Sequence, residues 1–301
     1  MKKLFLILFV AAIFFGCKSE KKSNGKLSVV TTTTMITDLL KNIGGEEISI
    51  QGLMGSGVDP HLYKASEGDV TKLSNADIIF YNGLHLEGKL VEVFEKMNNK
   101  KTIAISDAID KNTLIGSEYF ASNYDPHIWF NIDYWMDATK FVVKILSEEI
   151  PEKKEVFETN GANYISKLKE LKTNIENIIN ELPKDQRILV TAHDAFNYFG
   201  KSFGFEVVGL QGLSTATEAG VQDVQNLSAF IIEKKVKAIF IESSVPKRTI
   251  EALQASVRSK GHEVNIGGTL YSDALGNAGT IEGTYIGMFQ YNVNTIVNAL
   301  K

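Results

Sequence analysis

The chain has 301 residues, 44% of them hydrophobic and 23% charged, with a formal net charge of −4 at pH 7. That length is ample for two domains with separate cores, and mild acidity without a long basic run excludes nucleic acid as a partner. The single cysteine excludes an internal disulfide.

Met1-Lys2-Lys3 followed by the 12 apolar residues Leu4 to Phe15 has the form of a secretory signal. The run is too short for a transmembrane helix, which takes about 20 residues. It ends in Phe14-Phe15-Gly16-Cys17, and Cys17 is the one cysteine of the chain. This stretch resembles a lipobox in its small residue before the cysteine and departs from it in having Phe14 where leucine is typical. Residues 1–16 are therefore read as a signal peptide and Cys17 as the lipidated first residue of a mature lipoprotein. Residues 18–26 hold no apolar side chain and form a solvated tether, about 16 Å long on a root-mean-square basis. The folded body is expected outside the cytoplasm, anchored at a membrane surface that it does not enter.

Beyond the tether, strands are predicted over 27–33, 48–53, 77–82 and 102–105, with helices over 35–43, 66–75, 87–97 and 133–149. Ser66 is placed to cap the second helix. The plan repeats with strands over 187–191, 206–209, 237–241 and 264–266, and helices over 195–203, 221–234, 246–259 and 282–300. Near-continuous apolar strands alternating with helices predict two doubly wound α/β domains with mainly parallel sheets, over 27–152 and 184–301. Between them Tyr164, Leu168, Leu171, Ile175, Ile178 and Leu182 make a sustained helical stripe. Pro151 precedes it and Pro183 closes it. A linking helix over 153–183, roughly 45 Å long at 1.5 Å per residue, would lie along both domains and limit hinge opening.

Three of the five histidines fall on comparable loops. His61 and His127 each end an Asp-Pro-His tripeptide, at 59–61 and 125–127, and His193 lies where a buried strand turns towards a helix. Ligands gather outside the carboxyl ends of strands in open parallel sheets, and histidine is the commonest metal ligand. Proline before a ligand stiffens its loop, and Asp59 and Asp125 can organise those loops through Asx-type turns. Taken singly, each histidine reads as a polar residue in a loop or helix cap; together, two of them in the same tripeptide, they predict one shared metal site. His85, in Asn82-Gly83-Leu84-His85-Leu86-Glu87, is the competing ligand candidate. His262 reads as an exposed turn residue. Asp273 is the only acid in the loop that leaves the last strand, and it is the expected fourth ligand, opposite His193.

Six stretches carry a family resemblance: Gly-Leu-Met-Gly-x-Gly-Val-Asp-Pro-His at 52–61, Tyr-Asn-Gly-Leu-His-Leu-Glu at 81–87, Asp-Pro-His-Ile-Trp-Phe at 125–130, Val-Thr-Ala-His-Asp-Ala-Phe at 190–196, Ile-Phe-Ile-Glu-Ser-Ser at 239–244 and Tyr-Ser-Asp-Ala-Leu-Gly at 271–276. In these the chain resembles the solute-binding lipoproteins of bacterial zinc and manganese ABC importers, most closely the treponemal TroA type, over nearly everything after the tether. The resemblance implies that His61, His127, His193 and Asp273 hold the ion in the cleft, two from each domain. It also implies a single interdomain helix and a membrane permease as partner; a monomer is the expected state.

Three imidazoles and one carboxylate suit tetrahedral zinc, and the lack of a thiolate disfavours Cu(I). Zn²⁺ is the preferred ion and Mn²⁺ the second, since a bidentate Asp273 would raise the coordination number to one manganese accepts. Members of the family that favour manganese tend to carry glutamate where this chain has His193, whereas those favouring zinc often have a His-rich loop before the second histidine. Residues 110–123 hold no histidine. The rival readings are a secreted zinc hydrolase and a surface adhesin with a structural metal. The hydrolase is disfavoured because catalytic zinc keeps an open position, and because there is neither a His-Glu-x-x-His helix nor a Gly-x-Ser-x-Gly elbow. No motif speaks for adhesion.

Overall fold

A computed structural model describes residues 25–97, 100–118 and 120–301. The signal, Cys17 and nearly all of the tether lie outside the described residues. In chain order the elements are β1 (Leu27–Thr31), α1 (Thr34–Gly44), β2 (Ile48–Gly52), α2 (Glu67–Asn75), β3 (Ile78–Tyr81), α3 (Val91–Glu95), β4 (Lys101–Ala104), α4 (Ile132–Glu149) and α5 (Lys154–Ile179). The second half comprises β5 (Ile188–His193), α6 (Asn197–Phe203), β6 (Glu206–Gln211), α7 (Val221–Lys234), β7 (Ala238–Glu242), α8 (Arg248–Ser259), β8 (Asn265–Leu270) and α9 (Tyr285–Leu300).

The strands form two four-stranded sheets, ordered β2-β1-β3-β4 and β6-β5-β7-β8, and every pairing is parallel. The two sheets thus share one topology, and the register agrees: Val30 pairs with Ile79 as Val190 pairs with Ile239. In each, the chain leaves its first strand to one side and returns on the other. That reversal opens a crevice at the carboxyl ends of β1 and β3, and again at those of β5 and β7.

Strand side chains alternate between faces, and both faces of both sheets are buried. Val29, Ile78 and Phe80 of the first sheet enter the same core as Leu189, Ala238 and Phe240 of the second. Their neighbours face outward, Val30 and Ile79 into a small core beneath α2, Val190 and Ile239 into one beneath α7 and α8. The central core is continuous between the halves. It is closed by α1, α4, α9 and the linking helix α5, which buries Phe157, Tyr164, Leu168, Leu171, Ile175 and Ile179. At 1.5 Å per residue the 26 residues of α5 run about 39 Å. Ile179 is buried where the stripe pointed to Ile178, because 3.6 residues per turn drifts against a strict four-three repeat.

Other departures have local causes. A helix was expected over 87–97, but only Val91–Glu95 is helical. Gly83, Leu84 and His85 take successive positive φ values of 84°, 51° and 62°. The Glu87 carboxylate turns inward to accept from the amides of Asn82 and Gly83 and from Thr32 Oγ1. The strand expected to end at 266 continues to Leu270 through Gly267 and Gly268. A Cβ on Gly267 would stand 2.6 Å from the Phe240 ring and 2.7 Å from Ala299, so glycine lets α9 lie on this strand. Ser66 caps α2 as expected, in a full capping box with Asp69. Among the described residues no helix is long and apolar enough to cross a membrane.

One core shared by both sheets predicts one cooperative transition. Leu168→Ala should lower stability by about 2–5 kcal/mol in urea unfolding, with a single transition reported by both halves. Two separate transitions would contradict the shared core.

Candidate metal centre

The crevices of the two sheets face one another, and four buried side chains meet between them. His61 stands on the loop that leaves β2, His127 just before α4, His193 at the end of β5 and Asp273 three residues beyond β8. One ligand atom from each lies within 4.8 Å of all the others. The Asp273 Oδ2 is 3.3 Å from His193 Nε2 and 3.8 Å from His61 Nε2, while Oδ1 is 3.6 Å from His127 Nε2. These three ring nitrogens and two carboxylate oxygens are buried and find no hydrogen-bond partner among the described residues. Buried polar groups are almost always paired. An orphaned cluster of N₃O character is the donor set a divalent cation satisfies. Both Asp273 oxygens face inward, so it can bind through one or both.

His85 and His262 do not reach this cluster. His85 is exposed on the left-handed turn, its ring T-shaped to that of Phe120, and His262 is partly exposed in the turn after α8. Gly200-Lys201-Ser202-Phe203-Gly204 does spell Gly-x-Ser-x-Gly. It ends helix α6, with Ser202 exposed, and is no strand-to-helix elbow.

Each ligand loop is held from behind, to different degrees. Asp125 Oδ1 accepts from the His127 amide at 2.9 Å and lies 2.7 Å from its Nδ1. The Asn82 side chain donates to Pro126 O, tying the left-handed turn to this loop. Trp129 stands edge-on to the His127 ring, and its Nε1 donates to Ser272 O beside Asp273. His193 is backed by Glu242, the last residue of the neighbouring strand β7. Oε1 accepts from the His193 amide at 2.8 Å and Oε2 lies 2.6 Å from Nδ1. A carboxylate on the far ring nitrogen fixes the tautomer and raises ligand basicity. The matching aspartate of His61, Asp59, accepts from its backbone amide, at 2.8 Å, and makes no hydrogen bond with its ring among the described residues. Asp59 and Asp125 are thus the loop organisers expected of them, and Asp125 also orients a ring. Glu242 was missed in sequence, although an acid ending a buried strand signals such a role.

Burial pushes His61 down to about 3, with the Asp273 charge opposing the shift, so His61 is neutral and ready to ligate. Burial alone would lower His193 too. Glu242 and then Asp273 outweigh it and hold His193 well above the usual imidazole range. Burial would raise Asp273, but His193 foremost, then His61 and His127, keep it well below the usual carboxylate range. The ion-free centre at pH 7 is therefore charged, with a proton on His193 beside two carboxylates. A cation at Nε2 must displace that proton.

Two outcomes follow from this electrostatic arrangement. Ion binding near pH 7 should release about one proton, so titration heats should differ between buffers of unlike ionisation enthalpy, and affinity should fall as pH is lowered through the raised His193 pKa. Equal heats in all buffers would contradict it. Glu242→Gln, which keeps the shape and removes the charge, should weaken binding roughly 10–100-fold in chelator competition.

The family described as "Zinc-uptake complex component A periplasmic" matches residues 29–299. The chain is 48% identical over 287 residues to the zinc-binding protein TroA of Treponema pallidum (strain Nichols), covering 95% of this chain and 92% of that protein. It is 46% identical over 299 residues to the manganese-binding lipoprotein MntA of Bacillus subtilis (strain 168), with 98% and 97% covered. The manganese ABC transporter substrate-binding lipoprotein PsaA of Streptococcus pneumoniae is 34% identical, with 100% and 99% covered. The solved structure of the periplasmic zinc-binding protein TroA from Treponema pallidum superposes with a TM-score of 0.89 over 92% of this chain and 99% of that one, at 48% identity. With two like-wound parallel sheets, one linking helix and a match along nearly its whole folded length, this chain belongs to the family of periplasmic zinc-uptake component A.

Proposed function

We propose that this chain captures one divalent ion outside the cytoplasm, with zinc first and manganese second, and delivers it to an ABC import permease in the membrane. His61, His127, His193 and Asp273 are its ligands. The observation that carries this reading is the convergence of three imidazole nitrogens and both oxygens of one carboxylate, all buried and all without hydrogen-bond partners among the described residues. A cation there completes every unmet bond at once.

The same geometry favours carriage over catalysis. Four protein donors close the site, whereas catalytic zinc keeps a position for water and a free general base nearby. The neighbouring acids are engaged: Glu242 with the His193 amide and ring, Asp125 with His127, and Asp59 with the His61 amide. Zinc is preferred because three neutral nitrogens and one oxygen match its tetrahedral habit. The relatives named for manganese keep that ion in play, and affinity alone does not identify the physiological cargo, since zinc outranks manganese at most sites. The fold acts as a monomer, and Cys17 carries the lipid that holds it at the membrane.

Purified mature protein should carry about one divalent ion per chain, as a single closed donor set requires, and His193→Ala should lose it on metal analysis. Wild-type protein without metal, or a variant with unaltered affinity, would sink the assignment. Uptake of radiolabelled zinc and manganese by cells with and without this chain should fall for zinc on its loss; a fall for manganese alone would reverse the order of preference.

A further inference from the structure

The two Asp-Pro-His aspartates divide their oxygens in the same way. Asp59 Oδ1 accepts from the amide of His61, and its Oδ2 accepts from Thr215 Oγ1 at 2.5 Å. Asp125 Oδ1 accepts from the amide of His127, and its Oδ2 accepts from Asn197 Nδ2 at 3.0 Å. In both, one oxygen holds the ligand loop of the first half and the other crosses the cleft. Thr215 lies between β6 and α7 and Asn197 opens α6, so both belong to the opposite half. Thr215 is 8% exposed although it sits on a surface connection.

Resting on the carrier reading above, we infer that Thr215 and Asn197 are positioning residues of the ion site: each latches a first-half ligand loop to the second half and slows release of the ion, without touching it. Both bonds are partly buried, hydrogen bonds to a carboxylate are among the stronger ones, and each latch forms only when the two halves meet.

The latches are unequal. The Asp125 loop is held further, by Asp125 on the His127 ring and by Tyr198 of α6, whose hydroxyl donates across the cleft to Asp125 O. Asp59 offers His61 nothing beyond the backbone contact, and His61 Nε2 stands farthest from Asp273 of the three ring nitrogens. The glycine-rich run before it approaches the other half closely: a Cβ on Gly57, already at φ 71°, would stand 3.4 Å from Ser243 O. His61 therefore depends on Thr215 more than His127 depends on Asn197.

The test is the release rate of zinc from the loaded, full mature chain into excess chromogenic chelator, with melting temperatures of the metal-free and loaded forms alongside. Thr215→Val keeps shape and removes the hydroxyl, and it should speed release about tenfold, the loss of one charge-assisted bond. Thr215→Ser restores the donor and should stay within about twofold of wild type. Asn197→Ala should speed release less than Thr215→Val. Wild-type protein that holds zinc, with Thr215→Val releasing it no faster, overturns the latch alone. So does a Thr215→Val protein whose two forms melt lower by the same amount while release is unchanged, or a larger effect from Asn197→Ala. Wild-type protein that takes up no zinc overturns the carrier reading together with the latch.

Discussion

The structure is organised around an unfavourable act: burying three imidazole Nε2 atoms and both oxygens of a carboxylate that find no hydrogen-bond partner among the described residues. Orphaned buried polar atoms destabilise a fold, by about 1–3 kcal/mol each in mutational series, and a charged group costs more. Such a cluster persists only if the rest of the molecule over-determines it. In the closed centre Asp273 is held ionised chiefly by its neighbouring imidazoles, His193 foremost. His193 holds a proton because Glu242 and Asp273 outweigh its burial. A divalent cation replaces that proton and meets every unmatched lone pair. The donor set is tuned to be incomplete without one.

Rigidity elsewhere makes this tolerable. Both sheets place one face in a common core, and the single helix α5 lies along both halves with Phe157, Leu168 and Ile175 buried against it. A molecule built this way resists wide hinge opening, because separating the halves would expose that core. Movement that admits or frees an ion must be local, in the ligand loops. The carboxylates behind the ligands grade those loops. His127 and His193 have a carboxylate on the far ring nitrogen, while His61 is held only through its backbone and across the cleft through Asp59.

The two halves share a topology and a way of bracing the site. In each sheet the crevice lies where strand order reverses, and a buried acid closes it from behind. In the second half Glu242 braces a ligand directly. In the first, Glu87 braces the left-handed turn of Gly83, Leu84 and His85, and Asn82 passes that support to the loop of His127. Successive left-handed residues are unfavourable outside glycine, and the three donors converging on Glu87 hold them there.

Much of the fold was legible in sequence, because period and capping are local. The β-branched runs, the Ser66 cap and the stripe of α5 each follow from residues a few positions apart, and the two Asp-Pro-His triplets advertised the loops that matter. The tertiary structure decided what depends on distant groups. Helix 87–97 failed because Glu87 bonds amides across a turn, and β8 outran its reading because Gly267 makes room for Phe240 and Ala299. Sequence could name three histidines and one aspartate as candidates; their meeting in the structure required two sheets to face each other. Glu242 ends a buried strand, which hints at a role, but which ligand it backs was not legible in sequence, nor were the partners of Thr215 and Asn197. Each acts through a partner 49 or more residues away, and nothing in local pattern records which side chain a folded chain sets opposite another.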